Sequence, residues 1–379
     1  MTQRIVILGG GQLARMSAMA AYRLGCEVGI VARPGDDSPA LLVATERFVG
    51  DWSSPALLDA VAAYADVVLL ENEFITPDTL RYLEATGKCR VVPSSQTIAL
   101  VQDKFYQKKA LAQAGLPVPR FTAVDTPEDV LAASHRFGLP LVLKCRTNGY
   151  DGYGNELIRG TADIVPAFEK LLKRGSSLMV EEFIPFTKEL AVMAVRNQRG
   201  EEVVYPVVET IQHAHVCHTV LAPAAVSDTT AANVTTLARQ VLEAIHGIGI
   251  FGIELFLLND GEVLINEIAP RPHNSGHYTI EACETSQFEN HIRAGLNLPL
   301  GSPRMRTPVA VMVNLLSGFD APAHPTGLEA ALQVPGVTVH MYGKKASRPG
   351  RKMGHVTAVG ENLVETRERA LRAARAIAI

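Results

Sequence analysis

The dipeptide Asp260-Gly261 lies between two apolar runs, FGIELFLL and VLIN, and constrains the fold more than any other pair of residues in the chain. A type I′ turn needs φ > 0 at both central positions, and Asp-Gly before and after apolar runs is a strong hairpin signal. A two-residue loop would pair Asn259 with Glu262. Counting outward, Ile253 faces Ile268, Leu255 faces Asn266, and Glu254 falls opposite Glu267. Two carboxylates facing each other on one side of a hairpin repel. Neither strand contains a lysine, and Arg271 is the nearest cation downstream. The pair therefore asks for a cation. All-oxygen donors favour a hard ion, Mg²⁺ with Mn²⁺ as the alternative, and Mg²⁺ commonly shares its sphere with substrate phosphates. A solvated pair, each carboxylate with its own lysine, is the competing reading.

Upstream, the pattern is of another kind. RIVIL (Arg4–Leu8) reads as a buried strand leading into GGGQLARM and an alanine-rich helix. Strands at Glu27–Ala32, Val67–Leu70 and Arg90–Val92 alternate with helices at Pro55–Tyr64 and Pro77–Ala85. Such alternation means an α/β unit, a parallel sheet with helices on both faces. Gly9, Gly11 and Ala14 satisfy G-x-G-x-x-A, but Arg33 stands where a dinucleotide site would carry an acid. An NAD(P)-binding oxidoreductase or sensor is the reading that rests on this loop. Read more broadly, its N–H groups suit any anion.

A helix over 103–114 and the turn GLPVPR lead to a β-α-β pattern: LPLVLKCR, the loop TNGYDGYGN, a helix over 162–173, and LMVEEFI. Strands over 189–195 and 202–208 and a helix over 231–245 precede the hairpin. A proline-rich stretch then leads to a β-rich tail and a helix over 365–378. Domains are expected at 1–98 (Rossmann-like), 99–188 (linker helix and lid) and 189–379 (metal site and β-rich tail).

At 379 residues, 47% hydrophobic and net charge −3, the chain has an ordinary globular composition without the basic excess of a nucleic-acid binder. No segment is long and apolar enough to span a membrane. Five scattered cysteines without CxxC read as reduced thiols of a cytoplasmic protein.

Three features point to a nucleoside triphosphate. Lys144 ends an apolar run, so its ammonium is directed at something specific. Glycines 149, 152 and 154 make a loop whose N–H groups could cover phosphates, though no Walker motif occurs. VEEFI places an acid pair beside apolar residues, suited to grasping a purine. Then Arg271-Pro-His-Asn-Ser-Gly-His277 packs an arginine, two histidines and an amide beside the proposed metal, a set suited to small oxyanions. The loop KKASRPGRKMGH carries Lys344, Lys345, Arg348, Arg351 and Lys352 without an acid, a solvated loop or a second phosphate site. His213, His215, Cys217 and His218 suggest zinc at first glance. On one strand, however, period two would put the first three on one face, a poor start for a tetrahedron.

In this order, Lys104, Lys144, GYDGYG, EEFI, Glu254 and Asn266-Glu267 resemble the ATP-grasp superfamily. With GGGQLARM, RPHNSGH and GKKASRPGRKMGH they resemble its carboxyaminoimidazole ribonucleotide synthetases over nearly the whole chain. The resemblance implies an ATP-grasp fold and ATP- and bicarbonate-dependent carboxylation of 5-aminoimidazole ribonucleotide in purine biosynthesis, through carboxyphosphate, by a homodimer. It implies that Lys104, Lys144 and the lid Gly149, Tyr150, Asp151, Gly152, Tyr153, Gly154 and Asn155 contact ATP phosphates. Glu181, Glu182, Phe183 and Ile184 would hold adenine, Glu189 the ribose, and Asn266 would lie beside the nucleotide. Glu254 and Glu267 would bind Mg²⁺. Arg271, His273, Asn274 and Asp151 would be catalytic. Gln12, Leu13, Glu73, Tyr150 and Asp151 would line the ribonucleotide pocket, with Lys344 and Arg351 on its phosphate. Gln212 stands where relatives often carry a nucleotide-contacting histidine, with His213 one later. Formate-dependent phosphoribosylglycinamide formyltransferase is the neighbouring alternative. It has an aspartate-threonine pair at Asn274-Ser275 and a glutamate at Gln12, so both positions favour the carboxylase.

Overall fold

The computed structural model describes residues 2–149, 154–174, 177–213 and 215–379. Tyr150, Asp151, Gly152 and Tyr153, assigned above to nucleotide and ribonucleotide contacts, lie outside the described residues.

Near the N-terminus, Arg4–Leu8 is the centre of a five-stranded parallel sheet. Glu27–Ala32 and then Glu46–Val49 lie on one side of it, Val67–Leu70 and Arg90–Val92 on the other. The central strand is buried from Ile5 to Leu8, as expected of a strand covered on both faces. Glu46–Val49 is a strand the sequence pattern missed. Only Phe48 among its four residues is apolar and partly buried, so an edge strand shows little of the usual signal.

A second, four-stranded antiparallel sheet contains Phe121–Val124, Leu178–Glu182, Leu141–Cys145 and Asn155–Ile158, in that order. The helices Pro127–Phe137 and Ile164–Leu172 pack on it around Val130, Leu143, Phe168 and Val180.

The third sheet has nine strands. Its order runs Val263–Ala269, Gly249–Leu257, Lys188–Arg196, Val208–His213, Val216–Ala222, Val309–Leu316, Lys352–Gly360, Val337–Met341, with Glu202–Val204 pairing to one side of Lys188–Arg196. The hairpin strands and the strand of the basic loop thus belong to one surface. The expected continuous strand over 202–208 is in fact two, because Tyr205-Pro206-Val207 interrupts it and proline cannot donate to a ladder. Among the described residues no helix is long and apolar enough to cross a membrane.

The hairpin register holds at the carboxylates by two compensating departures. Gly261 N donates to Leu258 O and Leu258 N to Glu262 O, so the loop has three residues, and only Gly261 takes positive φ (+87°). That is the bulge-type loop, not type I′. It shifts the ladder by one, so Leu255 faces Ile265 rather than Asn266. An extra residue then bulges out at Asn266, shifting it back, and Glu254 faces Glu267.

The His213 to Cys217 run is not one strand. It turns a hairpin between Val208–His213 and Val216–Ala222, with His215 at φ +64°, so the single-face count does not apply.

Candidate active site

Two cavities meet at the hairpin. The smaller, about 250 Å³, is lined by Lys104, Lys144, Asn155, Glu181, Glu182, Phe183, Ile184, Glu189, Gln212, Asn266 and Glu267. Eleven of the thirteen described residues of the expected nucleotide set thus line one cavity. Phe186 and Phe256, which the sequence reading passed over, stack face to face at 4.6 Å on its wall. Gly149 lines the other cavity instead, and Gly154 uses its carbonyl to accept from Cys145 N.

The larger cavity, about 550 Å³, is lined by Gln12, Leu13, Glu73, Arg271, Lys344 and Arg351, together with Arg348 and His277. Glu254, Glu267, His273, Asn274 and Lys352 line both cavities.

Several of the charged side chains already have an internal counterpart. Lys104 Nζ lies 2.6 Å from Glu267 Oε2, so a lysine does reach the carboxylate pair. It comes from the helix Lys104–Gln113, which inspection of the two strands could not reveal. Gln107 of that helix donates to Ile268 O and accepts from Ile268 N, pinning the carboxylate strand like a further strand backbone. Glu254 Oε1 lies 3.4 Å from His273 Nε2. Lys144 Nζ is 2.8 Å from Glu181 Oε2. The VEEFI acids divide: Glu181 is buried on the lysines, whereas Glu182 accepts from Arg120 N and Nε. Burial raises the pKa of Glu189, and its Oε2 has no hydrogen-bond partner among the described residues.

Arg271 forks onto Glu73 and so is bound within the protein. Burial works against the Glu73 carboxylate, but the Arg271 charge and hydrogen bond outweigh it and hold the pKa low. His273 Nδ1 meets Ser275 Oγ at 2.8 Å. Asp37, another residue the sequence did not signal, accepts from Lys345 N and from Arg351 Nη1 at 3.0 Å and so holds the basic loop in shape. Lys344 donates to Lys352 O, and burial pulls its pKa down to about 8.

The glycine loop has its own anion. Glu71 accepts from Gly11 N at 2.7 Å and Ala14 N at 2.9 Å, where a dinucleotide pyrophosphate would sit. A Cβ on Gly11 would meet Glu71 Oε1 at 2.5 Å, so the loop is closed around this carboxylate. That geometry argues against the NAD(P) reading.

Glu281, His340 and His355 gather elsewhere within ligand distance of one another. His340 Nε2 is hydrogen-bonded to Glu281 Oε1, and its ring stacks on His355 at 4.4 Å and 17°. Near-parallel rings cannot both aim an in-plane lone pair at one ion about 2.1 Å away. The cluster is a packed acid-histidine pair.

The comparisons agree with this geometry. The ribonucleotide synthetase preATP-grasp domain family matches residues 1–102, the ATP-grasp domain family 109–288, and the phosphoribosylaminoimidazole carboxylase C-terminal domain family 310–369. N5-carboxyaminoimidazole ribonucleotide synthase of Synechococcus elongatus is 42% identical over 359 residues, 94% of this chain and 89% of that protein. The chain belongs to the N5-carboxyaminoimidazole ribonucleotide synthetase family.

Solved synthetases have the same fold. The Aspergillus clavatus enzyme complexed with ATP superimposes with a TM-score of 0.90 at 35% identity, covering 99% of this chain and 98% of that one. The A. clavatus enzyme with ADP and 5-aminoimidazole ribonucleotide gives 0.88 at 34%, covering 98% of each. This chain is thus an ATP-grasp ligase of the synthetase family, with its two cavities joined at five shared residues.

Proposed function

We propose that the enzyme converts 5-aminoimidazole ribonucleotide to N5-carboxyaminoimidazole ribonucleotide with ATP and bicarbonate, a step of purine biosynthesis. The observation that carries this is the junction of the two cavities. The basic side chains of Arg348, Arg351 and Lys344 line one, Lys104 and Lys144 line the other, and Glu254, Glu267, His273, Asn274 and Lys352 line both.

ATP takes the smaller cavity. Lys104 and Lys144 turn to its phosphates, the segment Glu181 to Ile184 holds adenine, and Glu189 with Gln212 and Asn266 holds the sugar side. The ribonucleotide takes the larger one, its phosphate on Lys344 and Arg351 and its ring near Gln12, Leu13 and Glu73. Arg271, His273 and Asn274 orient bicarbonate at the junction. A bicarbonate oxygen attacks the γ-phosphorus in line and ADP leaves, giving carboxyphosphate. The exocyclic amine of the ribonucleotide then bonds to the carboxyl carbon, the carbon–oxygen bond to phosphate breaks, and the nitrogen loses a proton.

A divalent cation suits the carboxylate pair. Glu254 and Glu267 are each about one-third exposed to the cavities, and the neighbouring Asn266 Oδ1 has no hydrogen-bond partner among the described residues. The oxygen donors favour Mg²⁺, then Mn²⁺. Bound there, the ion would neutralise charge on phosphate oxygens. By resemblance the enzyme is a cytoplasmic homodimer, and five cysteines in the thiol form suit a reducing compartment.

ADP release from Mg-ATP and bicarbonate, with and without 5-aminoimidazole ribonucleotide, tests the assignment. Release that requires the ribonucleotide and fades when bicarbonate is stripped is expected. Release indifferent to the ribonucleotide would mean another acceptor.

A further inference from the structure

Lys108 belongs to neither cavity wall, yet it touches both ends of the nucleotide site. Lys108 is 2% exposed, and its Nζ donates to the carbonyl of the bulged Asn266 at 2.9 Å and lies 3.4 Å from Glu181 Oε1. Glu181 is likewise 2% exposed, and its other oxygen is held by Lys144 Nζ at 2.8 Å. One buried carboxylate thus sits between two ammonium groups, only one of which, Lys144, faces the cavity.

This matters when ATP arrives. On the function proposed above, Lys144 must turn toward phosphate, and Glu181 would then lose its shorter ion pair without gaining water. An uncompensated buried charge is strongly unfavourable. Without a second counterion Lys144 would stay on Glu181.

We infer that Lys108 is a positioning residue for the reaction: it neutralises Glu181 from behind, so that Lys144 is free to engage the ATP phosphates. Consistent with a group hemmed in by burial and by Lys144, its own pKa is drawn down to about 8, although Glu181 works to keep it protonated. Lys108 touches neither substrate, and its effect runs through Glu181.

The test is a double-mutant cycle read as ATP affinity, which a role confined to folding would not move. Lys108→Met is expected to weaken Mg-ATP binding at least tenfold by calorimetry. The KM for the ribonucleotide should stay within twofold, and Lys108→Arg should recover most of the loss. On the Glu181→Gln background the same Lys108→Met change should alter ATP affinity less than twofold, because no trapping charge remains. That arm stands even if the single Lys108→Met protein does not fold, since the double variant buries a neutral pair. Wild-type ATP affinity in folded Lys108→Met, or a full tenfold loss on the Glu181→Gln background, would overturn the inference. Failure of the carboxylase assignment would show instead as wild-type ADP release indifferent to the ribonucleotide, with the ATP-binding cycle unaffected.

Discussion

Asn274 and Asn314 are bound amide to amide: Asn274 Nδ2 donates to Asn314 Oδ1 at 2.9 Å, and Asn314 Nδ2 donates to Asn274 Oδ1 at 2.6 Å. Asn314 also donates to Cys217 O, so Val309–Leu316 sets the angle at which Asn274 enters the junction. Asn314→Ala should lower kcat by about one to two orders of magnitude through misplacement of the reacting groups, with ATP affinity nearly unchanged. Steady-state kinetics beside ATP calorimetry would check this, and an unaltered kcat would remove Asn274 from the chemistry.

Glu267 faces Glu254 across the hairpin, partly open to solvent, so its substitution should spare the fold. Glu267→Gln should lower metal-dependent ADP release by about 10²–10³-fold, the scale seen when one preorganised electrostatic group such as an oxyanion-hole donor is removed. The melting temperature should move little. Near-normal turnover would contradict the metal assignment.

Burial brings the Lys344 pKa down to about 8, so the free enzyme loses this charge as pH rises through that value. Ribonucleotide phosphate favours the protonated form and raises the pKa, so binding takes up a proton in the alkaline range. The KM for ribonucleotide should therefore climb up to tenfold per unit above about pH 8, while the KM for ATP stays level. Lys344→Arg, charged throughout, should flatten the climb. A pH-independent KM in the parent enzyme would place the phosphate elsewhere.

Three buried histidines make the fold acid-sensitive. Burial lowers the pKa of His277 and His355, and that of His291 to about 3. Neither His291 nitrogen has a hydrogen-bond partner among the described residues. The folded pKa lies below the unfolded value, so only the unfolded chain takes up protons between them. Stability is unaffected well above pH 6.5 and falls below it, by about 1.4 kcal/mol per pH unit for each such group. His291→Leu should therefore reduce the loss of stability between pH 7.5 and pH 5. Urea melts at the two values measure it, and an unchanged difference would show that His291 is protonated in the fold.

Why some of this was readable from sequence and some not comes down to the range of the interactions. The expected positions of Arg4–Leu8, Glu27–Ala32 and Val67–Leu70 coincide with observed strands because burial there repeats within a few residues. The Glu254–Glu267 pairing was anticipated from a turn of the wrong kind. It holds only because the bulge at Asn266 reverses the shift made by the three-residue loop. A bulge has no reliable local signature, and here the Lys108 contact with the Asn266 carbonyl comes from a helix 158 residues away.

The sequence by itself determined the chemistry on offer: the carboxylate hairpin, the two strand-and-helix patterns, the basic loop and the motifs that tie them to one family. Those depend on side-chain identity and short spacing, which the chain carries everywhere along its length. Only the tertiary structure decided what each group faces. Glu71 fills the glycine loop, Lys104 reaches Glu267, and Lys108 and Lys144 share Glu181. Asp37 holds Arg351 and Asn314 holds Asn274. Each of these contacts joins residues at least 37 positions apart, and such partners are selected by burial and charge compensation in the packed molecule, which no local pattern encodes.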